Sequence, residues 1–168
     1  MLFQKLRSCS VIRNKSQFPM PTVSKSALVP HSAERIFDLV NAVDQYPVFL
    51  PWCGGSTIYE QSESLMIAEI VIGYKSVNKG FKTTNVLKRP DHANQGTIKV
   101  KLLQGPFDSL NGEWTFTPLN DDGSRIDFEL NYEFSGVFMA RLIGPVFNKI
   151  AETFVDSFVS RADELYGQ

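Results

Sequence analysis

The stretch GVFMARLIGPVFNKIAETFVDSFVSRADELY, Gly136–Tyr166, decides the fold. Phe147, Ile150, Ala151, Phe154, Val155, Phe158, Ala162 and Leu165 recur there at the i, i+3, i+4, i+7 spacing of one helix face. The other face is made of solvated types: Asn148, Lys149, Glu152, Asp156, Arg161, Asp163 and Glu164. A helix from Pro145 to Tyr166 spans roughly 33 Å, the width of a small domain. Such a rod needs a broad apolar partner. Three rings on one stripe, Phe147, Phe154 and Phe158, point to a concave one. The expectation is a curved sheet wrapped around this helix, with room for a hydrophobic ligand where the two surfaces do not meet.

The chain before the helix supplies that sheet. Thr22–Val29 reads as a first strand, closed by Pro30. Ser32 is placed to cap a short helix carrying Ala33, Ile36, Phe37 and Val40 on one face, with Glu34 in the first turn where the dipole favours an acid. Asp44 is placed to cap a second short helix through Phe49, in which Pro47 is tolerated only in the first turn. From Ser56 the period changes to two. Ser56–Gln61 and Leu65–Tyr74 are strands, and Phe81, Thr83, Asn85 and Leu87 alternate with Lys82, Thr84, Val86 and Lys88. Ile98, Val100 and Leu102 alternate with Thr97, Lys99 and Lys101, and Trp114 and Phe116 share a face. After the hairpin signal Asp122-Gly123, Ile126, Phe128, Leu130, Tyr132 and Phe134 face away from Asp127, Glu129, Asn131 and Glu133. One wet face per strand marks an antiparallel sheet. The layout is α+β: about seven strands, two short helices after the first, and one long helix last.

The bulk numbers fit one domain. The 168 residues are 43% hydrophobic and 21% charged, with a net charge of −1, so a globally basic nucleic-acid binder is not indicated. The two cysteines, Cys9 and Cys53, form no C-x-x-C pair, which points to a reducing compartment. Residues 1–19 carry Lys5, Arg7, Arg13 and Lys15, and no acid precedes Glu34. Three readings stay open: an organelle transit peptide, a disordered basic tail, or a start codon placed too early with Met20 the true start. The absence of an apolar helical face favours the last two. The leader is set apart from the fold, and residues 20–168 form the domain.

The order and local motifs resemble the START-like helix-grip superfamily. More narrowly, the chain resembles the coenzyme Q-binding family that includes the bacterial ribosome association toxins. The residues that carry the likeness are Ala27-Leu28-Val29-Pro30-His31-Ser32-Ala33-Glu34 and Tyr46-Pro47-Val48-Phe49-Leu50-Pro51-Trp52-Cys53. Gly105-Pro106-Phe107 with Leu110, Gly112, Trp114 and Phe116, and Asp127-Phe128-Glu129-Leu130, add to them. The likeness runs from Met20 to Tyr166. It implies a tunnel between the long helix and the sheet, with either ubiquinone binding in support of respiration or association with the large ribosomal subunit. It transfers no catalytic residues. It implies a bacterial cytoplasmic protein, with a mitochondrial one expected only if the leader is a transit peptide. The chain is expected to act as a monomer.

Two surfaces carry function in this reading. The inward one is aromatic. Phe81, Phe107, Trp114, Phe116, Phe128 and Tyr132 come from the sheet, Leu130 lies among them, and Phe147, Ile150, Phe154 and Phe158 come from the helix. Phe49 and Trp52 sit in a segment that either plugs the core end or forms a lid over a pocket. Plain core packing accounts for many of these residues, but 13 phenylalanines are generous for one sheet-and-helix domain. Thr83, Asn85 and the Tyr132 hydroxyl are inward polar groups that can orient a head group such as a quinone carbonyl. The outward surface is basic: Lys82, Lys88, Lys99 and Lys101 on two neighbouring strands. Such a run is most often an ordinary solvated face. Its functional readings are ribosomal RNA or an anionic membrane.

Catalysis is the minority reading. His31 and His92 have no partners at metal or triad spacing, and Gly54-Gly55 lacks the lysine of a phosphate loop. Cys53 has no base near it in sequence and reads as a buried structural thiol. No catalytic residue, metal or required cofactor is assigned. A polyketide cyclase on the same fold is the less favoured third class, since the inward face offers no acid/base pair.

Overall fold

The computed structural model describes residues 21–120 and 122–167. The basic leader, the alternative start Met20 and Cys9 lie outside the described residues. The elements are β1 (Thr22–Val29), α1 (Ala33–Asn41), a 3-10 turn (Val43–Gln45), α2 (Tyr46–Phe49), β2 (Cys53–Gln61), β3 (Leu65–Tyr74), β4 (Val77–Lys88), β5 (Gly96–Gln104), β6 (Phe107–Pro118), β7 (Ser124–Phe134) and α3 (Gly136–Tyr166). Seven antiparallel strands form one sheet in the order β1-β7-β6-β5-β4-β3-β2. β2 to β7 is therefore a meander, and β1 closes on its last strand.

The alternation expected from the sequence is the alternation observed. In β7, Ile126, Phe128, Leu130 and Tyr132 are buried, and the intervening residues are not. In β4, Thr83, Asn85 and Leu87 are buried. Those inward faces meet α3, whose buried stripe is Ile143, Phe147, Ile150, Ala151, Val155, Phe158 and Ala162. The Ser32 side chain caps α1 by accepting from the Arg35 amide at 3.4 Å.

Four expectations need correction. The long helix begins at Gly136, nine residues before Pro145. Proline usually marks a first turn because its ring blocks the preceding turn and it has no N–H. Here Pro145 lies on an exposed face, where water can reach the carbonyl left without a donor. Leu165 has the spacing of the apolar stripe but is exposed; at this end it is Tyr166 that packs against the core. β2 begins at Cys53, not Ser56, so Gly54-Gly55 is strand and not turn. A register shift between Cys53 and Gly55 takes up the extra residue. β4 begins at Val77, four residues before the alternation becomes apparent.

The Gly54–Gly73 contact explains the second glycine of that strand pair. A Cβ on Gly73 would stand 2.8 Å from the Gly54 Cα. Only bare backbone lets β2 close on β3 there, and the Gly73 amide donates to the Trp52 carbonyl at 2.8 Å. This crossing ties Trp52 to the sheet just where the chain leaves α2.

Candidate functional site

Two aromatic clusters lie along α3. The first centres on Phe147, whose ring centroid is 4.9 Å from Phe107, 4.8 Å from Tyr132 and 6.4 Å from Phe81. The second centres on Phe154, at 5.7 Å from Trp52, 5.5 Å from Trp114, 5.5 Å from Phe128 and 5.1 Å from Phe158. Seven residues separate the two hubs, about 10 Å along the axis. Between them α3 offers Ile150 and Ala151, and the sheet offers Ala68 and Gly112. Small residues facing each other leave a void of about 80 Å³.

Ten of the residues singled out from the sequence line that void: Trp52, Phe81, Thr83, Asn85, Trp114, Phe128, Leu130, Phe147, Ile150 and Phe154. Five do not. Phe49, Phe107 and Phe158 pack one layer back, against Tyr46, Phe147 and Phe154 among others. Phe116 stacks on Trp114 at 6.2 Å. Tyr132 donates its hydroxyl to Asn148 Oδ1, so this group is already occupied and does not aim into the void. Burial, with Glu152 nearby, raises its pKa.

The lining also contains Val40, from the apolar face of α1, and residues that periodicity did not single out: Asn41 at the end of α1, Val43, and Tyr46 of α2. The Tyr46 ring packs 5.2 Å from Phe158, and its hydroxyl donates to the Val40 carbonyl at 2.6 Å. Burial first, and the nearby Cys53 second, push its pKa far above the ordinary tyrosine range. Tyr46 of α2 and Trp52 thus both form part of the cavity wall. Asn41 was visible only as the last residue of a helix.

Polar atoms set this void apart from plain core. Asn41 Oδ1, Trp52 Nε1 and Asn85 Oδ1 are buried without a hydrogen-bond partner, and all three residues line it. Asn85 makes only a 4.0 Å contact from its amide to Met66 Sδ. An unmet buried polar group costs about 1–3 kcal/mol, so these three side chains are polar positions in an otherwise mostly apolar wall. The lining holds no Asp, Glu, His or Lys. It can seat and orient a molecule, but it presents no group that gains or loses charge near neutral pH. Cys53, next to Trp52 in the chain, is buried and donates to the Gly55 carbonyl at 3.3 Å; burial raises its pKa, which leaves the thiol protonated. Among the described residues no cluster of three or more His, Cys, Asp or Glu is placed to hold a metal.

The outer lysines are where the alternation puts them. Glu69 stands opposite Lys82, and Lys99 opposite Glu113, with Lys99 Nζ 3.9 Å from Glu113 Oε1. Lys82 Nζ lies 3.9 Å from the centroid of the Tyr59 ring. Lys88 and Lys101 are exposed. The stripe is thus basic along β4 and β5 and bordered by acids on β3 and β6.

One pair was beyond sequence reasoning. His31 is buried, and its Nε2 lies 2.7 Å from Asp163 Oδ1, 132 residues away. It fastens the end of α3 to the start of α1.

A curved sheet packed on a long terminal helix is also the fold found by comparison. The polyketide cyclase/dehydrase and lipid transport family matches residues 29–159. The chain belongs to that family. Within it, the ribosome association toxin RatA of Pseudomonas aeruginosa is 41% identical over 145 residues, covering 86% of this chain and 97% of that protein. The mitochondrial coenzyme Q-binding protein COQ10 homolog B of Xenopus laevis is 25% identical over 149 residues, 86% of this chain and 59% of that protein. The Zhui aromatase/cyclase of Streptomyces sp. R1128 superposes with a TM-score of 0.72 at 12% identity, over 86% of this chain and 94% of that one, which shows the shared fold. No helix among the described residues is long and apolar enough to cross a membrane.

Proposed function

We propose that this protein associates with the ribosome, as its ribosome association toxin relatives are named for doing. The observation that carries this is the 41% identity with one of them across 97% of its length. The β4–β5 lysines supply a surface of suitable sign for the phosphates of the large subunit's RNA. The test is co-sedimentation with large ribosomal subunits at low and moderate salt. Binding that weakens with salt, and falls when Lys88, Lys99 and Lys101 are changed to glutamate, supports the reading. Binding indifferent to that reversal removes the stripe from it, and no binding at any salt ends it.

A second reading is favoured by the void itself: a non-enzymatic seat for a lipophilic molecule with a polar head, of which ubiquinone is one. Three unpartnered polar atoms inside an apolar lining are hard to explain as packing alone, and one relative is named for coenzyme Q binding. A role in respiration would follow from such a ligand. The free volume of about 80 Å³ is well below the ~300–1,000 Å³ of an ordinary ligand pocket. A quinone ring therefore enters only if α3, or the α2–Trp52 segment, moves outward. Titration with a fluorescent quinone analogue tests this. Saturable binding lost in Asn85→Leu supports it, and absence of uptake together with absence of co-purified lipid ends it. A cyclase activity finds no support in the lining, which offers no acid/base pair.

A further inference from the structure

The solvent side of α3 changes character along its length. Between Gly136 and Ala151 there is no acidic residue, and the only charges are Arg141 and Lys149. Beside the exposed Arg141, Asn148 and Lys149, several outward side chains of this half are apolar. Phe138 is 72% exposed, Val137 69% and Leu142 39%. Every other phenylalanine among the described residues is buried or half-buried. Phe138, Leu142, Pro145 and Lys149 follow one another at spacings of four, three and four, so they form one stripe, with Val137 and Arg141 beside it.

This end of the helix is held firmly on its inner side. The Ser135 amide donates to the Pro106 carbonyl at 3.0 Å, and the Ser135 hydroxyl donates to Asp108 Oδ1 at 2.6 Å. Met139 shares a surface depression with Lys79 and Lys82. The helix start is thus anchored with its apolar side turned out and further cations alongside. Lys75 is exposed at the β3–β4 turn that precedes Lys79. The acids in this neighbourhood are Asp108, occupied by Ser135, Glu69, which accepts from the Tyr59 hydroxyl at 2.6 Å, and the exposed Glu133 and Glu152 at its borders.

We propose that the first three turns of α3 dock on an anionic lipid bilayer. Val137, Phe138 and Leu142 enter the boundary between headgroups and acyl chains, and Arg141 and Lys149 meet the headgroup phosphates. An exposed ring flanked by aliphatic chains gains by leaving water for lipid, and gains nothing from an RNA backbone. The sign of the surrounding charge selects an anionic leaflet. The inner side of the same helix, farther along, walls the cavity at Phe147 and Ile150. The inference stands on the outer face alone and requires neither of the functions proposed above.

The test is flotation of the full chain with vesicles of phosphatidylcholine, with and without phosphatidylglycerol. The expected result is recovery with the phosphatidylglycerol vesicles only, declining with salt. Phe138→Glu with Val137→Glu should lower partitioning roughly tenfold or more. Arg141→Gln with Lys149→Gln should lower it by about fivefold per charge. Far-UV circular dichroism confirms that these exposed substitutions leave the fold intact, and Phe138→Ser serves if the glutamates do not. No recovery with anionic vesicles, or recovery unchanged by Phe138→Glu and Val137→Glu, overturns the proposal. So does a concentration-dependent dimer, or ribosome co-sedimentation, that is lost in those variants while vesicle binding persists.

Discussion

The two halves of α3 share one buried stripe but meet different surroundings. The C-terminal half, from Ala151 to Tyr166, is packed along its inner side and tied at its end. Phe158 is fully buried, within 5.5 Å of the Tyr46, Phe49, Trp114 and Phe154 rings. Asp163 ties the end to His31, and the guanidinium of Arg35 lies over the Tyr166 ring at 5.4 Å. Its outer residues are mostly the ordinary solvated set, Glu152, Asp156, Asp163 and Glu164, with Leu165 the one large exposed apolar side chain. The N-terminal half reverses this. Its inner side holds Ile143 and Phe147 in the core, but its outer side exposes Val137, Phe138 and Leu142. One half answers to the fold, and the other presents a surface that folding does not need. The void falls where the two halves meet, at Ile150 and Ala151.

The largest expected difference between the halves is energetic. Phe158→Ala should cost about 3–5 kcal/mol of stability, as deletion of a buried ring does. Phe138→Ala should change it by no more than ~0.5 kcal/mol, because the ring is exposed. Urea denaturation of the two variants checks this, and similar losses would erase the distinction. The void between the halves gives the next effect. Asn85→Leu exchanges a buried, unmet amide for an isosteric hydrocarbon. Stability should hold or rise by about 1 kcal/mol while binding of a quinone analogue is lost. A loss of stability instead would mean that Asn85 is satisfied in solution.

Loosening the far end should do less. Asp163→Ala removes the partner of buried His31, but Asp163 is itself largely exposed, so about 1 kcal/mol is expected. Hydrogen exchange should rise in the last turns of α3 and stay unchanged near Gly136. Equal fraying at both ends would sink the idea of one pinned end. The smallest effect near neutral pH concerns Tyr46, which packs on the pinned half. Its pKa in the folded chain is raised above the unfolded value of about 10. The unfolded chain then gives up its proton first, so the stability this group contributes is complete below about pH 10 and declines as pH rises further. Tyr46→Phe should show a flatter decline in alkaline melts and little pH-linked change at pH 7.

Much of this was legible in the residues. The period of 3.6 from Phe147 to Ala162 and the period of two in β7 named the buried faces correctly, because each rests on local geometry. Ten of fifteen tunnel candidates line the void for the same reason: inward is readable from alternation. The remaining five are inward too, but they lie one layer from the void, and depth has no periodic signal. Tyr132 shows the limit most clearly. Its inward position followed from the strand, while the Asn148 oxygen that takes up its hydroxyl belongs to another element. The start of α3 was missed because Pro145 is a strong local stop signal, which the packing of Ile143 and Phe147 and an exposed position outweigh.

Local chemistry along the chain thus set the elements, their faces and the antiparallel order, since each depends on neighbours a few residues away. The location of the cavity did not follow from it. Ala68, Gly112 and Ala151 are unremarkable singly, and a gap exists only because three elements bring them face to face. The same holds for His31 and Asp163, and for the bare apolar shoulder of α3. Whether a side chain is covered depends on what arrives opposite it, and only the assembled fold decides that.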